Sequence, residues 1–228
     1  MGKLKKKNVF LKSAVRNGFF QLFLFTLIPF VVYVISQRRI SGFFEHIGLY
    51  IPNSMISFLI VILSMFILTI VINKLRDIIL PSNSIEEYDD HCISSSFREN
   101  GFSTETMIAL LFTALITTGL SEEILFRGFV AKGLINSFGF QIGNIIQAMI
   151  FSSLHGIPLY LKSKKVSISL FEFTRVFVIA YAFGWLMVFV CGGSILPLWI
   201  RHGLGNVIAF YNKAFKRKTL NSIENEVA

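Results

Sequence analysis

Long apolar segments bounded by basic residues constrain the fold of this chain more than any other feature. A helix needs about 20 mostly apolar residues to cross the hydrocarbon core of a bilayer. Segments near that length recur at about residues 18–36, 54–73, 105–120, 139–155, 169–191 and 194–212, and a shorter one, 121–136, opens with two glutamates. The pattern predicts an all-α integral membrane protein, a polytopic bundle of about six to eight transmembrane helices.

The overall composition agrees with lipid as the main solvent of the chain. Of its 228 residues, 54% are hydrophobic, and 25 are phenylalanine. A soluble domain of this composition would lack polar residues to cover its surface. We therefore exclude an ordinary soluble domain.

The net charge of +9 is concentrated outside the apolar segments. Basic residues precede the first segment and follow the last one: Lys3, Lys5, Lys6, Lys7, Lys12, Arg16, Lys213, Lys216, Arg217 and Lys218. Basic flanks set membrane topology and attract anionic lipid headgroups, so they do not indicate nucleic-acid binding. Both basic flanks favour the cytoplasm, which requires an even number of crossings. The number of crossings is even if segment 121–136 crosses the membrane only in part or is re-entrant.

The longest polar stretch, residues 74–103, is predicted to be a loop or a surface helix. Its acidic run at 86–90, next to His91, is more typical of a solvated charged loop than of a cation site. The two cysteines, Cys92 and Cys191, suggest neither a disulfide framework nor a cysteine-based zinc site.

The first cluster of ionisable groups in an apolar region lies at the start of segment 121–136. Ser121, which follows Gly119, is predicted to cap a new helix and to place both glutamates in its first turn. Glu123 and Arg127 are four residues apart and can pair on one helix face. Glu122 points about 100° away and is free to act as a base. Alternatively, both glutamates cap a surface helix at the interface.

Two further clusters carry histidines on later apolar segments. His155 ends the sequence Phe151-Ser-Ser-Leu-His, where an interfacial histidine is the plain alternative to a catalytic one. His202 and Asn206 are four residues apart and share a helix face across two glycines and a leucine. They can serve a site, or they can hold helices together by hydrogen bonds.

The three clusters, in their order on successive apolar segments, resemble the motifs of the CPBP family of intramembrane proteases. The motifs are Glu-Glu-x-x-x-Arg, Phe-x-x-x-His and His-x-x-x-Asn. That family includes the type II CAAX prenyl endopeptidases and bacterial proteins linked to bacteriocin self-immunity. The resemblance covers about residues 104–212, and all motif positions match: Glu122, Glu123, Arg127, Phe151, His155, His202 and Asn206.

The resemblance implies that Glu122 and His155 activate a water molecule and that His202 and Asn206 stabilise an oxyanion. Glu123, Arg127 and Phe151 would be supporting residues. Alternatively, Glu122, His155 and His202 hold a divalent metal such as zinc.

We therefore expect an intramembrane endopeptidase of the bacterial plasma membrane that acts on a peptide or a membrane-associated protein, for example a prenylated CAAX-type protein. Two other classes remain open, a non-catalytic immunity or scaffold protein and a proton-coupled transporter. The expected partners are the substrate and the lipid bilayer, without nucleic acid; the oligomeric state is left open. The expected organisation is two transmembrane helices and a polar loop in 1–103, a protease-like core in 104–212, and a basic polar tail in 213–228.

Overall fold

The computed structural model describes residues 2–80 and 94–216. These residues form helices and no strand. The helices are α1 Gly2–Gln37, α2 Phe43–His46, α3 Ile56–Ile79, α4 Ser94–Asn100, α5 Thr104–Phe138, α6 Phe140–Ser163, α7 Val166–Phe189 and α8 Leu196–Tyr211. The all-α prediction is confirmed.

Five of the described helices, α1, α3, α5, α6 and α7, are long and apolar enough to cross a membrane. Helix α8 has 16 residues and continues as a π-helical turn, Asn212–Lys216. The protein is therefore a polytopic integral membrane protein, and α8 accompanies the five long helices as a sixth apolar helix.

Contacts at the two ends of the bundle show that these six helices alternate in direction. At one end, Phe97 of α4 packs against Phe10 of α1 and Phe210 of α8, both with ring centroids 5.8 Å apart. At the other end, the Ile195 amide donates to the Gly48 carbonyl (2.9 Å). We call these the terminal end and the loop end. The start of α1 and the end of α8 share the terminal end, in agreement with an even number of passes.

The prediction that a separate segment begins after Gly119 is wrong, because helix α5 continues through this position. It runs without a break through Ser121, whose backbone is helical (φ −64°) and whose hydroxyl donates to the Thr117 carbonyl. Ser121 is therefore not an N-cap. A helix end at this depth would leave backbone N–H and C=O groups without hydrogen-bond partners, because no water is present in the hydrocarbon core. Gly119 and Ser121 therefore do not end the helix.

Two stretches of α5, Thr113–Leu120 and Glu123–Ala131, are wound as π-helix. Neighbouring side chains hydrogen-bond to carbonyls of the first stretch. Gln21 Nε2 donates to the Thr117 carbonyl (2.9 Å), and Trp199 Nε1 donates to the Leu115 carbonyl (2.8 Å). Wide turns of this kind are rare and are often found at functional sites.

Several helices extend beyond the predicted apolar segments. Helix α3 continues past residue 73 to Ile79, and α6 continues past residue 155 to Ser163. Long basic side chains near helix ends can reach the polar interface, so a helix need not stop where its apolar run stops. Of the predicted polar stretch 74–103, residues 94–100 form α4, whereas the acidic run, His91 and Cys92 lie outside the described residues. The division at residues 103 and 212 stays a prediction.

The loop end contains the largest cluster of buried apolar side chains. Its fully buried members include Ile47, Val61, Ile195 and Leu198. Close packing there fixes where α5 ends and where α8 begins.

Candidate functional site

A cavity of about 480 Å³ opens among helices α3, α5, α6, α7 and α8. Its size lies within the range of small-molecule sites in proteins. All four predicted site residues line it: Glu122, His155, His202 and Asn206. Three helices that are far apart in sequence thus bring these four side chains to one place.

Two glycines allow α5 and α8 to cross closely beside the cavity. A Cβ on Gly203 would lie 2.8 Å from Leu115 Cδ2 and 3.3 Å from Leu115 Cα. A Cβ on Gly119 would lie 3.3 Å from Gly203 Cα. Small residues at such crossings let helix backbones approach in membranes. The close approach brings His202 of α8 to the glutamates of α5.

Glu123 is fully buried and contacts two site residues. Its Oε2 lies 3.5 Å from Arg127 Nε, as the four-residue spacing predicted. Its Oε1 accepts a hydrogen bond from His202 Nδ1 at 2.7 Å. The second contact could not be predicted, because nothing in the motif spacing tells which glutamate faces α8.

Arg127 is also fully buried, between two aromatic rings. Its guanidinium carbon lies 4.3 Å from the Phe151 ring centroid and 5.3 Å from that of Phe183. Phe151 packs on the His155 ring (4.6 Å between centroids), and Phe183 packs edge-on to the His202 ring (6.0 Å). A guanidinium on an aromatic face is attracted by the ring quadrupole. The five side chains form an unbroken row from one histidine to the other.

The Arg127 side chain donates no hydrogen bond within the part of the chain that the structure describes. Its separation from Glu123 is that of an ion pair without a close hydrogen bond. Its charge is therefore balanced by one carboxylate and two aromatic faces. Phe183 lies outside the three motifs, and sequence reasoning did not identify it.

Both histidines use Nδ1 for a protein partner. His155 Nδ1 is 2.9 Å from the Phe151 carbonyl, an acceptor, so Nδ1 carries the proton and Nε2 holds a lone pair when the ring is neutral. His202 Nδ1 faces the Glu123 carboxylate in the same way. Partners of this kind fix the tautomer and orientation of an imidazole and leave Nε2 for chemistry.

Asn206 is oriented by a threonine of α5. Its Nδ2 donates to Thr118 Oγ1 at 2.9 Å, and that hydroxyl donates to the Thr113 carbonyl at 3.0 Å. An amide nitrogen has two donors, so one N–H remains for a ligand. Thr118 also lines the cavity and was not predicted. Its only sequence signal is a pair of threonines within an apolar segment.

Glu122 differs from Glu123 in its contacts. It lines the cavity, is only half-buried, and its side chain makes no ion pair or hydrogen bond with any residue in 2–80 or 94–216. It shares the cavity with His202, His155 and Arg127. A carboxylate facing open space beside two imidazoles can take a proton from a bound water molecule.

Residues 104–208 match the family model described as type II CAAX prenyl endopeptidase Rce1-like. This part of the chain, a little under half of its 228 residues, is similar to the Rce1-like family. The prediction of a CPBP-type family, drawn from the three motifs, is confirmed. The chain has no match among curated proteins or among solved structures.

Proteins of the Rce1-like family are usually membrane-embedded proteases. Such proteins act on peptides or membrane proteins within a lipid environment. The matched residues include every motif position and both glycines of the helix crossing. The cavity therefore belongs mostly to the Rce1-like region, and only α3 and the end of α8 contribute from outside it.

The predicted alternative is a divalent metal held by Glu122, His155 and His202. Within the described residues, no three side chains of His, Cys, Asp or Glu are grouped closely enough to hold a metal ion. The metal alternative stays a prediction, and the proposed chemistry is carried by the side chains alone.

Proposed function

We propose that the protein is an intramembrane endopeptidase in which Glu122 and His155 activate water. His202 and Asn206 would stabilise the oxyanion of the tetrahedral intermediate. The observation that carries the proposal is the convergence of all four side chains on one cavity inside the bundle. A scaffold would not require an unpaired carboxylate opposite two oriented imidazoles.

The first half of the reaction uses Glu122 and His155. A water molecule between the two donates one hydrogen bond to the carboxylate and one to His155 Nε2, which holds the lone pair. As the water oxygen attacks the peptide carbonyl, its proton passes to Glu122. The peptide nitrogen then takes a proton from this acid as the C–N bond breaks, so the site returns to its starting state.

The second half of the site binds the carbonyl oxygen as it becomes negative. Asn206 donates from its remaining N–H, and His202 donates from Nε2 when its ring carries both protons. The Glu123 carboxylate at Nδ1 offsets the charge of that doubly protonated ring. Donors fixed before the reaction stabilise the transition state without costly reorganisation.

The proposed substrate is a membrane-associated protein or a small peptide, with a prenylated CAAX-type protein as the first candidate. The family match of residues 104–208 supports this class. The motif resemblance to bacterial self-immunity proteins supports a bacterial plasma membrane. Basic residues at the terminal end, among them Lys12, Lys74 and Lys162, support a cytoplasmic position for that end.

The test compares wild type with Glu122→Gln in nanodiscs of neutral lipid. The substrates are a library of apolar peptides with and without a prenylated cysteine, and products are identified by mass spectrometry. Wild type should cleave a subset of peptides, and Glu122→Gln should be slower by about 10³ or more with unchanged folding. A chelator should leave the wild-type rate unchanged. Absence of product from wild type across the library would favour the scaffold or transporter. Loss of activity with chelator would support the metal alternative.

A further inference from the structure

Gln21 is a polar side chain of the N-terminal helix α1 that contacts α5. It stands in an apolar run, between Phe20 and Leu22, and its side chain is partly buried in the bundle. Glutamine side chains in membrane helices hydrogen-bond to neighbouring helices, because the hydrocarbon core offers them no water. Gln21 lies outside residues 104–208, so the family match assigns it no role.

The partners of Gln21 lie at the wide stretch Thr113–Leu120 of α5. Its Nε2 donates to the Thr117 carbonyl (2.9 Å) and to Ser121 Oγ (3.2 Å). The Ser121 hydroxyl in turn donates to the same Thr117 carbonyl. An amide nitrogen carries two N–H groups, so both donors of Gln21 are used. Gln21, Ser121 and the Thr117 carbonyl form a closed set of hydrogen bonds.

The Thr117 carbonyl can accept these bonds because the helix is wide at this point. In an ordinary α-helix, the amide of Ser121 would donate to the carbonyl four residues back, that of Thr117. Here the Ser121 amide donates instead to the Ile116 carbonyl, five residues back. A backbone carbonyl that loses its partner in lipid costs free energy. Gln21 and Ser121 therefore supply hydrogen bonds that the wide turn removes.

Gly18 lets α1 approach α5 closely enough for this contact. It lies three residues before Gln21 on the same face of α1, and a Cβ on Gly18 would collide with the hydroxyl oxygen of Thr117. From α8, Trp199 Nε1 donates to the Leu115 carbonyl (2.8 Å) in the same stretch. The wide turn is therefore held by two neighbouring helices.

The winding of this stretch determines where the residues directly after it point. Wide winding accommodates an extra residue within the rod. If the same residues were wound as a regular α-helix, Glu122 and Glu123 would rotate by about 100° relative to the residues before the stretch. Glu122 would then turn away from the cavity that it shares with His155 and His202.

We propose that Gln21 is a positioning residue for Glu122. It stabilises the wide turn of α5 through the Thr117 carbonyl and thereby directs the Glu122 carboxylate into the cavity. The effect on turnover rests on the proposed protease function, whereas the effect on the direction of residue 122 does not. Helix α1 is then part of the framework of the site in addition to being a membrane span.

The first experiment measures the direction of residue 122 without any reference to catalysis. Glu122→Cys is introduced into a protein in which Cys92→Ser and Cys191→Ala remove the native thiols, and a small water-soluble thiol reagent labels it through the cavity. Gln21→Met keeps the length of the side chain but donates no hydrogen bond. It should lower the labelling rate by about threefold or more. An unchanged labelling rate would overturn the proposal.

Two controls separate a change in direction from a change in access or stability. Ala209→Cys, which lines the cavity on α8, should be labelled at the same rate with and without Gln21→Met. Asn17→Leu removes an amide of α1 that makes no hydrogen bond within the described residues, and it should leave the labelling of Glu122→Cys unchanged. Faster labelling at both cavity positions in Gln21→Met would indicate general loosening of the bundle and would contradict the proposal.

Ser121→Ala provides a second variant in case Gln21→Met does not fold. It removes the other side-chain donor to the Thr117 carbonyl and leaves the bond from Gln21 in place. Labelling of Glu122→Cys should fall in this variant too, by a smaller factor. If Ser121→Ala folds and labels as fast as its parent, the hydrogen bonds to Thr117 do not direct residue 122, and the proposal is wrong.

Cleavage in nanodiscs of neutral lipid measures the consequence for catalysis. Gln21→Met should lower kcat severalfold with little change in KM, because the peptide still binds in the cavity while Glu122 is turned away. A lower kcat with unchanged labelling of Glu122→Cys would overturn the positioning role. If wild type cleaves no peptide but labelling still depends on Gln21, the positioning role stands and the protease function fails.

Discussion

The loop end and the cavity half of the bundle use opposite kinds of interaction. The loop end is closed by apolar side chains and backbone hydrogen bonds, and Gly128 of α5 lies directly against Ile47. The cavity half holds a buried arginine without a close hydrogen bond, beside a buried glutamate. Ionisable groups cost free energy when they leave water. Packing at the loop end therefore stabilises a fold that the site itself destabilises.

Titratable groups near the loop end also differ from those of the cavity. Burial lowers the pKa of His46, and Lys132 and Arg39 lower it further, so the ring stays neutral at pH 7. Burial also raises the pKa of the Cys191 thiol to about 11. Neither His46 nor Cys191 therefore changes its charge near neutral pH, whereas the cavity depends on charged groups.

The largest effect is expected from Glu123→Gln. This change leaves Arg127 buried without its carboxylate and should lower the free energy of unfolding by about 3–5 kcal/mol. It also removes the anionic partner of His202, so the remaining folded protein should cleave more slowly. Thermal unfolding in detergent, with Glu122→Gln as the control of unchanged stability, measures the first effect. Equal loss of activity in both variants with normal folding would show that the two glutamates do not have separate roles.

Asn206→Ala should act on catalysis alone. Loss of one oxyanion donor typically lowers turnover by about 10²–10³ with little change in substrate binding. Product formation and peptide binding should be measured on the same preparation. A variant that binds and cleaves as wild type does would remove Asn206 from the proposed site.

Gly128→Ala should act on the loop end alone. The added Cβ would lie 2.6 Å from the Ile47 carbonyl oxygen, and crowding of this kind costs about 1–3 kcal/mol. The control is Gly133→Ala, further along α5, where a Cβ meets no atom within 4 Å and should stabilise the helix by about 0.5–1 kcal/mol. Turnover per folded molecule should be unchanged in both. A large drop in turnover for Gly128→Ala would show that the two halves are coupled.

Phe183→Leu should give the smallest effect, about tenfold or less in turnover. The change removes one of the two rings beside Arg127 and the ring that packs on His202, contacts worth about 1 kcal/mol each. Because Phe183 acts through His202, the pH profile of cleavage should shift, and Phe183→Tyr should restore it. Phe189→Leu, an exposed position on the same helix, serves as the control. A profile that Phe183→Leu leaves unmoved would limit Phe183 to packing.

The sequence was sufficient for features that depend on local spacing. Apolar run lengths predicted the helices, and the four-residue spacing predicted the pair of Glu123 and Arg127. It also placed His202 and Asn206 on one helix face. These relations depend only on the helix repeat, so they can be read before the fold is known.

Features that depend on contacts between helices could not be predicted. The hydrogen bond between Glu123 and His202 joins residues that are 79 positions apart. The ring of Phe183 reaches Arg127 only because α7 packs beside α5. The break expected after Gly119 was wrong because the local signal of Gly119 and Ser121 is weaker than the need to hydrogen-bond the backbone within lipid.

The π-helical winding of α5 has a consequence for how this segment tolerates changes in length. A wide turn holds one residue more than an ordinary helical turn, so it behaves as an insertion absorbed without breaking the rod. Deleting one residue between Thr113 and Leu120 would let the wide turn tighten to an ordinary one, so Glu122 and Glu123 would keep their face towards α8. The same deletion in the regular α-helical stretch before it, Thr104–Phe112, would rotate everything beyond by about 100° relative to what precedes it. The wide stretch therefore tolerates a change in length that the regular stretch does not.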